Sequence, residues 1–373
     1  MRSVQLLRLS LPLMAVLSLS GCLGGDSGGG GDDTRTGSLT YNGISGLNYT
    51  SASRSETTDD RGQFRYYPGE RLTFAVGDLT LATEVPAAEY MTPLEFLADI
   101  RERLNSPGID DEGLRSHQVT EQQLRTDTTL LNLTRFLLAL NWDETIEDGE
   151  GIEIRDRVVR QLNRALPDLT APIDFTVSES EFTERGTTPS PANQLLAAIC
   201  FYPADDEHCQ APPTQDEIDN AMPRPEDENL RDPDQEYQED LKSRRDRILE
   251  SVRSLEDVDA EAAQDYLTRE LDAITTVIGN RYYLGRETAN HPANETDIKE
   301  AGIRRINGEP DLAAIEAMST RDQDVVVHSF SWQSATVDYF IAGDSGGESE
   351  IIINFRPANS YRWIRKSLRV IID

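Results

Sequence analysis

The chain has 373 residues, 37% of them apolar and 28% charged, and its 67 acidic residues outweigh 36 Lys and Arg to give a net charge of −31. That balance argues against nucleic acid and anionic headgroups as partners, because the phosphate term from which a basic protein gains affinity becomes repulsion here. The length suggests about two or three domains.

The first predicted element is a leader. Arg2 and Arg8 precede an apolar run over 9–19 and the tetrapeptide Leu19-Ser20-Gly21-Cys22. A basic start, a short apolar stretch and small residues before a cleavage point predict a secretory signal. A bilayer span would need about 20 apolar residues. The tetrapeptide resembles the lipobox of bacterial lipoproteins. That resemblance implies a mature chain beginning at a diacylated Cys22 and held to the membrane by it. Leu23, where an Asp would signal retention, implies the outer membrane. Processing removes two Arg and no acid, so the mature chain is more acidic still. Residues 23–37, with Gly24-Gly25 and Gly28 to Gly31, predict a flexible tether.

Residues 38–85 predict a small antiparallel β module. Its runs are 39–41, 46–49, 63–66 and 72–76, with turns at Asp60-Arg61-Gly62 and Pro68-Gly69-Glu70. The strings Thr57-Thr58-Asp59-Asp60-Arg61-Gly62-Gln63-Phe64 and Gly69-Glu70-Arg71-Leu72-Thr73-Phe74-Ala75-Val76-Gly77-Asp78 resemble a module found near the N-terminus of proteobacterial surface lipoproteins. Residues 132–140 and Gly151-Ile152-Glu153-Ile154 are similar to a segment that follows it there. The resemblance covers about a quarter of the chain and implies an envelope protein. Most such proteins have no assigned activity, and some carry labels mentioning organic-solvent transport.

From Pro93 the apolar period changes to 3.6, and residues 86–202 predict a helical region. Pro93 opens a helix carrying Leu94, Leu97, Ile100 and Leu104. Thr120, with Gln123 completing a capping box, opens a second through Leu138. A third runs over 154–166, and Ser190-Pro191 opens a fourth ending at Cys200. After Cys22 only Cys200 and Cys209 remain, and in an oxidising envelope compartment two cysteines so close predict a disulfide. The acidic, Pro-rich stretch 203–236 reads as a surface excursion or partial disorder. Residues 237–320 predict a second helical region, with apolar stripes Leu241, Ile248, Val252, Leu255 and Ala263, Leu267, Leu271, Ile274, Ile278. Residues 321–373 predict a four-stranded antiparallel meander. The expected class is α+β.

Several motifs invite a chemical reading. Gly343-Asp344-Ser345-Gly346-Gly347 matches the nucleophile segment of trypsin-like proteases, but the same pentapeptide stands at 25–29 in the tether, and the second copy falls where a hairpin turn is needed. His208, the one plausible base by chain order, lies inside the disulfide loop, and the chain lacks the double β-barrel context. The acidic loop 143–150 offers oxygens for calcium, yet Thr145 and Asp148 occupy the third and sixth positions, where an EF-hand needs an oxygen ligand of the usual type and Gly. A solvated turn is the simpler reading. His117, His291 and His328 lack metal-ligand spacing, so surface or satisfied core roles are the default. No phosphate loop, dinucleotide fingerprint or CxxC pair occurs, so no cofactor and no catalytic residue is expected. Tyr282, Tyr283, Trp332, Tyr339, Tyr361 and Trp363 would suit a glycan or protein partner, although strand propensity explains them too.

The basic residues are nearly all Arg, the exceptions being Lys242, Lys299 and Lys366. This resembles salt-adapted proteins and equally fits a GC-rich gene. Together the sequence predicts a lipid-anchored envelope protein with a binding or structural role. The alternative is an accessory to lipid or solvent transport, which requires an apolar cavity between the helices and the C-terminal sheet. A hydrolase ranks below both.

Overall fold

Alternation near the N-terminus places Leu72, Phe74 and Val76 on the buried face of strand Arg71–Val76, and Phe64 and Tyr66 on that of Gln63–Tyr66. The computed structural model describes residues 33–144, 146 and 149–373. Cys22, residues 23–32 and the centre of the acidic loop at 145, 147 and 148 lie outside the described residues. The class is α+β, with β-structure at both ends and helices between.

The first strand, Arg35–Leu39, begins within the segment read as tether. It pairs antiparallel with Gln63–Tyr66 and parallel with Tyr90–Met91. A second sheet has the order Ser55–Thr57, Asn48–Thr50, Arg71–Val76, Leu79–Pro86. The predicted runs are thus divided between two small sheets. Ile152–Glu153 docks beside Ile44–Ser45 as a parallel pair. Gly46 makes that approach possible: its φ is +84°, and a Cβ there would stand 1.9 Å from the Ile154 carbonyl oxygen.

The β module does not close a core by itself. Phe74 stacks on Phe96 with ring centroids 4.8 Å apart, and one apolar cluster runs from Leu39 and Phe64 through Phe136 and Leu195 to Leu255 and Tyr266. Module and helices therefore share a core.

Two predicted helices are each broken in two. Pro93–Phe96 and Ala98–Arg103 are separated at Leu97, whose backbone is extended. The helix expected from Thr120 to Leu138 is instead His117–Leu124 followed by Thr128–Ala139. Asp127 interrupts it by accepting from the amides of Thr129 and Leu130. The capping box expected at Thr120 does not form, since its hydroxyl donates to the Ser106 carbonyl at 2.7 Å. Asp156–Ala165 and Pro191–Ala197 match expectation, the latter capped by Ser190.

The acidic stretch 203–236 holds defined structure. It contains the helix Gln215–Asn220 with Ile218 buried, and it lies along the helix Gln238–Glu250. Arg224 pairs with Asp240, Arg247 with Glu207 at 2.6 Å, and Arg245 donates to the Pro213 carbonyl at 2.7 Å.

The four C-terminal strands appear as Val325–Ser331, Thr336–Ile341, Glu348–Pro357 and Ile364–Ile372. Their pairing differs from a continuous meander. The first two form a hairpin that extends through Lys299–Arg305 to Tyr282–Leu284, and the last two form a hairpin flanked by Leu312–Ser319 and Thr288–His291. Two four-stranded sheets result, and half of their strands come from 282–319, within the expected second helical region 237–320. Their apolar faces share a core with Val325, Val337, Ile351, Phe355 and Leu368.

Helix Ala260–Gly279 connects these parts. Ala263 and Tyr266 belong to the first core and Ile274 and Ile278 to the C-terminal one, while Leu267 and Leu271 pack in a third with Leu94, Leu104 and Leu124.

Candidate functional site

Where the helices meet the C-terminal sheets, five charged side chains run in series. Glu95 begins it: the Thr92 amide and hydroxyl donate to its Oε2 at 2.6 and 2.7 Å, and Arg362 pairs with its Oε1. Arg362 Nη1 donates to Glu121 Oε2 at 2.6 Å, and Arg125 Nη2 donates to both Glu121 and Asp272 at 2.8 Å. Glu95 and Arg362 are 1% and 3% exposed. Removing Arg362 would leave the buried Glu95 without its counter-charge, at about 3–5 kcal/mol.

Beside this series lies a cleft of about 220 Å³, lined by His117, Arg125, Asp272, Asn354, Trp363 and Arg365 among others. His117 opens the helix His117–Leu124 and is 4% exposed. Its ring lies flat on the Trp363 indole, centroids 3.5 Å apart and planes within 4°. Nδ1 faces the Leu104 carbonyl oxygen at 3.1 Å, and Nε2 faces Glu316 Oε2 at 3.5 Å. Both neighbours are acceptors. A neutral imidazole has one N–H and serves one of them; only the imidazolium serves both. Burial nevertheless pushes the His117 pKa below the ordinary value, against the opposite pull of the Leu104 carbonyl and Glu316.

The same place collects polar atoms that have no hydrogen-bond partner. Among the described residues Arg125 Nε, Asn354 Nδ2 and Trp363 Nε1, all of cleft-lining residues, are buried without a hydrogen-bond partner, while His117 Nε2 and Glu316 Oε2 have only their long 3.5 Å contact with each other. A buried group left unpaired costs about 1–3 kcal/mol. Three such groups around one small cleft represent a large cost, of the kind tolerated at sites that hold something polar. All three are N–H donors, so the arrangement suits an acceptor-rich group.

The residues singled out in the sequence are dispersed. Cys200 and Cys209 are joined, with S–S 2.04 Å and Cα atoms 5.4 Å apart. His208 in their loop pairs with Asp206 at 2.6 Å and stacks on Tyr202. Ser345 is exposed in the turn before Glu348–Pro357, where the Gly346 amide donates to Ile372, and it forms no hydrogen bond with a histidine among the described residues. His291 is a satisfied core residue, bonded to Glu295 and to the Tyr339 hydroxyl at 3.0 Å each, while His328 is exposed. His117 departs from that default. The aromatic set is also divided: Tyr282 and Tyr339 are buried, Tyr361 donates to the Pro86 carbonyl, and Tyr283 and Trp332 are exposed.

Among the described residues no group of three or more His, Cys, Asp and Glu is placed to hold a metal ion, and no helix is long and apolar enough to cross a membrane. The junction cleft is small and polar; a larger one, about 770 Å³, lies within 170–192 and is lined by Ala171, Pro172, Ile173, Val177 and Phe182 among others. No protein-family model matches the chain, and no curated protein matches it.

Proposed function

We propose that the mature chain is a lipid-anchored protein of the bacterial cell envelope, held at Cys22 to the outer membrane, that binds a small polar ligand in the junction cleft. The observation that carries the binding role is the gathering of buried N–H donors without a partner, from Arg125, Asn354 and Trp363, around one cleft. The anchor rests on Leu19-Ser20-Gly21-Cys22 and the glycines after it. The Cys200–Cys209 pair fits an oxidising compartment. The polar lining favours this reading over a conduit for lipid or solvent, which needs an apolar cavity at the same junction.

Two experiments test it. Cys22→Ser should leave the protein unprocessed or release it from the membrane fraction; normal processing with unchanged fractionation would overturn the anchor. For the cleft, Asn354→Leu removes an unpaired buried donor while keeping much of the side-chain volume. Its midpoint in urea should rise or stay level, because binding sites are held at the expense of stability. A loss above about 1 kcal/mol, the usual worth of a made hydrogen bond, would show that Asn354 serves the fold and would sink the binding role.

A further inference from the structure

In this acid-rich chain one cleft has more guanidinium than carboxylate. Arg35 at the start of Arg35–Leu39, Arg281 just beyond Ala260–Gly279 and Arg305 at the end of Lys299–Arg305 line a cleft of about 400 Å³ with Glu89, Asp311 and Asn359. Glu89 is spent on Arg281, whose Nη1 donates to both of its oxygens at 2.7 and 2.9 Å. Among the described residues neither Arg35 nor Arg305 forms an ion pair, and Arg305 Nε is buried with no hydrogen-bond partner. Asp311 is exposed and pairs with neither. Three cations from separate parts of the chain line one cleft, one carboxylate answers one of them, and Arg305 lies 5.9 Å over the Tyr282 ring.

The geometry points to a phosphate-binding site. A guanidinium is a planar fork matched to carboxylate or phosphate oxygens. A carboxylate offers two oxygens, and one guanidinium can occupy both, as Arg281 does at Glu89 through Nη1 alone. Forks arriving from different elements call for a tetrahedral group with three or more oxygens. The phosphate has two possible sources, a phospholipid headgroup or a soluble phosphate ester. The headgroup source alone rests on the lipid anchor: Arg35 follows Cys22 by 13 residues, a span of at most about 45 Å when extended, so the cleft stays within reach of the bilayer. The overall charge of −31 opposes binding to any anionic surface, and vesicle binding would therefore report a local site rather than a general attraction.

The test uses the full chain carrying Cys22→Ser, so that no acyl chain contributes. Calorimetry with inorganic phosphate should give a Kd of about 1 mM or tighter, and Arg305→Gln and the exposed Arg35→Gln should each weaken it about tenfold. Arg304→Gln, outside the cleft, should leave it unchanged. Co-sedimentation with phosphatidylglycerol vesicles that depends on Arg305 identifies the headgroup source; phosphate binding without co-sedimentation identifies a soluble ester. Absence of phosphate binding, or equal binding by all three variants, overturns the proposal, whatever the fractionation of the Cys22 variant shows about the anchor.

Discussion

Several of the many arginines act where lysine could not. Arg135 donates to the carbonyls of Val258 and Leu255 and to Glu179 at 2.6, 2.9 and 2.8 Å. Arg253 donates to the carbonyls of Asn141 and Trp142 and lies 3.8 Å over the Phe201 ring. Each ties together segments more than 40 residues apart, through a fork an ammonium lacks. The Arg excess thus has a structural share beside any codon or salt bias. His117 carries the pH prediction. Its pKa is depressed in the folded state mainly by burial, so the unfolded chain takes up the proton more readily. The stability it contributes is complete above the unfolded value near 6.5 and is lost as pH falls below it. His117→Phe keeps a ring on Trp363 and removes the titration, so its urea midpoint should fall less between pH 7.5 and 5.5 than that of the parent chain. Equal falls would show that His117 is not held neutral. Nothing in the sequence marked this residue: Leu104 is 13 positions away, and Glu316 and Trp363 are about 200 or more positions away, so no spacing rule joins them.

Elements were legible where their cause is local. Ser190 caps Pro191–Ala197, Asp259 caps Ala260–Gly279, and the alternation of Arg71–Val76 buries the expected face. Legibility failed where a short polar interruption competes with continuing periodicity. Leucines recur on both sides of Thr126-Asp127-Thr128, and the apolar stripe concealed a cap that Asp127 forms with two amides. It failed again where pairing is distant. The hairpins Val325–Ser331 with Thr336–Ile341 and Glu348–Pro357 with Ile364–Ile372 follow from their own turns. Their division into two sheets is decided by Lys299–Arg305 and Leu312–Ser319, which claim the free edges. A meander and two separate hairpins have the same local pattern, and only the far strands distinguish them. Tyr282-Tyr283 does carry an aromatic strand signal, but Lys299–Arg305 and Leu312–Ser319 each hold a single β-branched residue, Ile303 and Ile315, and no aromatic, so the local signal for strand is weak over most of 282–319. The acidic stretch 203–236 is the opposite case. Its composition forecasts poor burial, and most of its side chains are exposed, yet Ile218 and the pairs to Glu207, Asp240 and Pro213 give it a place against the helix Gln238–Glu250.

At the scale of the molecule, the cooperativity of residues 34–373 follows from helix Ala260–Gly279. Chains this long commonly unfold in steps, domain by domain. Here one helix delivers Tyr266 to the first core, Leu267 and Leu271 to the third, and Ile274 and Ile278 to the C-terminal one. Burying each of these side chains is worth about 1.5–3 kcal/mol. If the C-terminal sheets came away, the last turns would lose their packing and, with it, most of what holds an amphipathic helix in place. The Glu95, Arg362, Glu121, Arg125 series crosses the same boundary, and parting it would leave buried charges uncompensated. Separation at the junction therefore costs more than either side recovers, and unfolding should be a single transition. Trp142 packs against the first core and Trp363 stands at the junction, so single-tryptophan versions of the chain report the two regions independently. Their fluorescence midpoints in urea should coincide with each other and with the far-ultraviolet circular dichroism. A Trp363 transition that precedes the Trp142 transition would show that the C-terminal sheets unfold on their own and that the helix does not couple the cores.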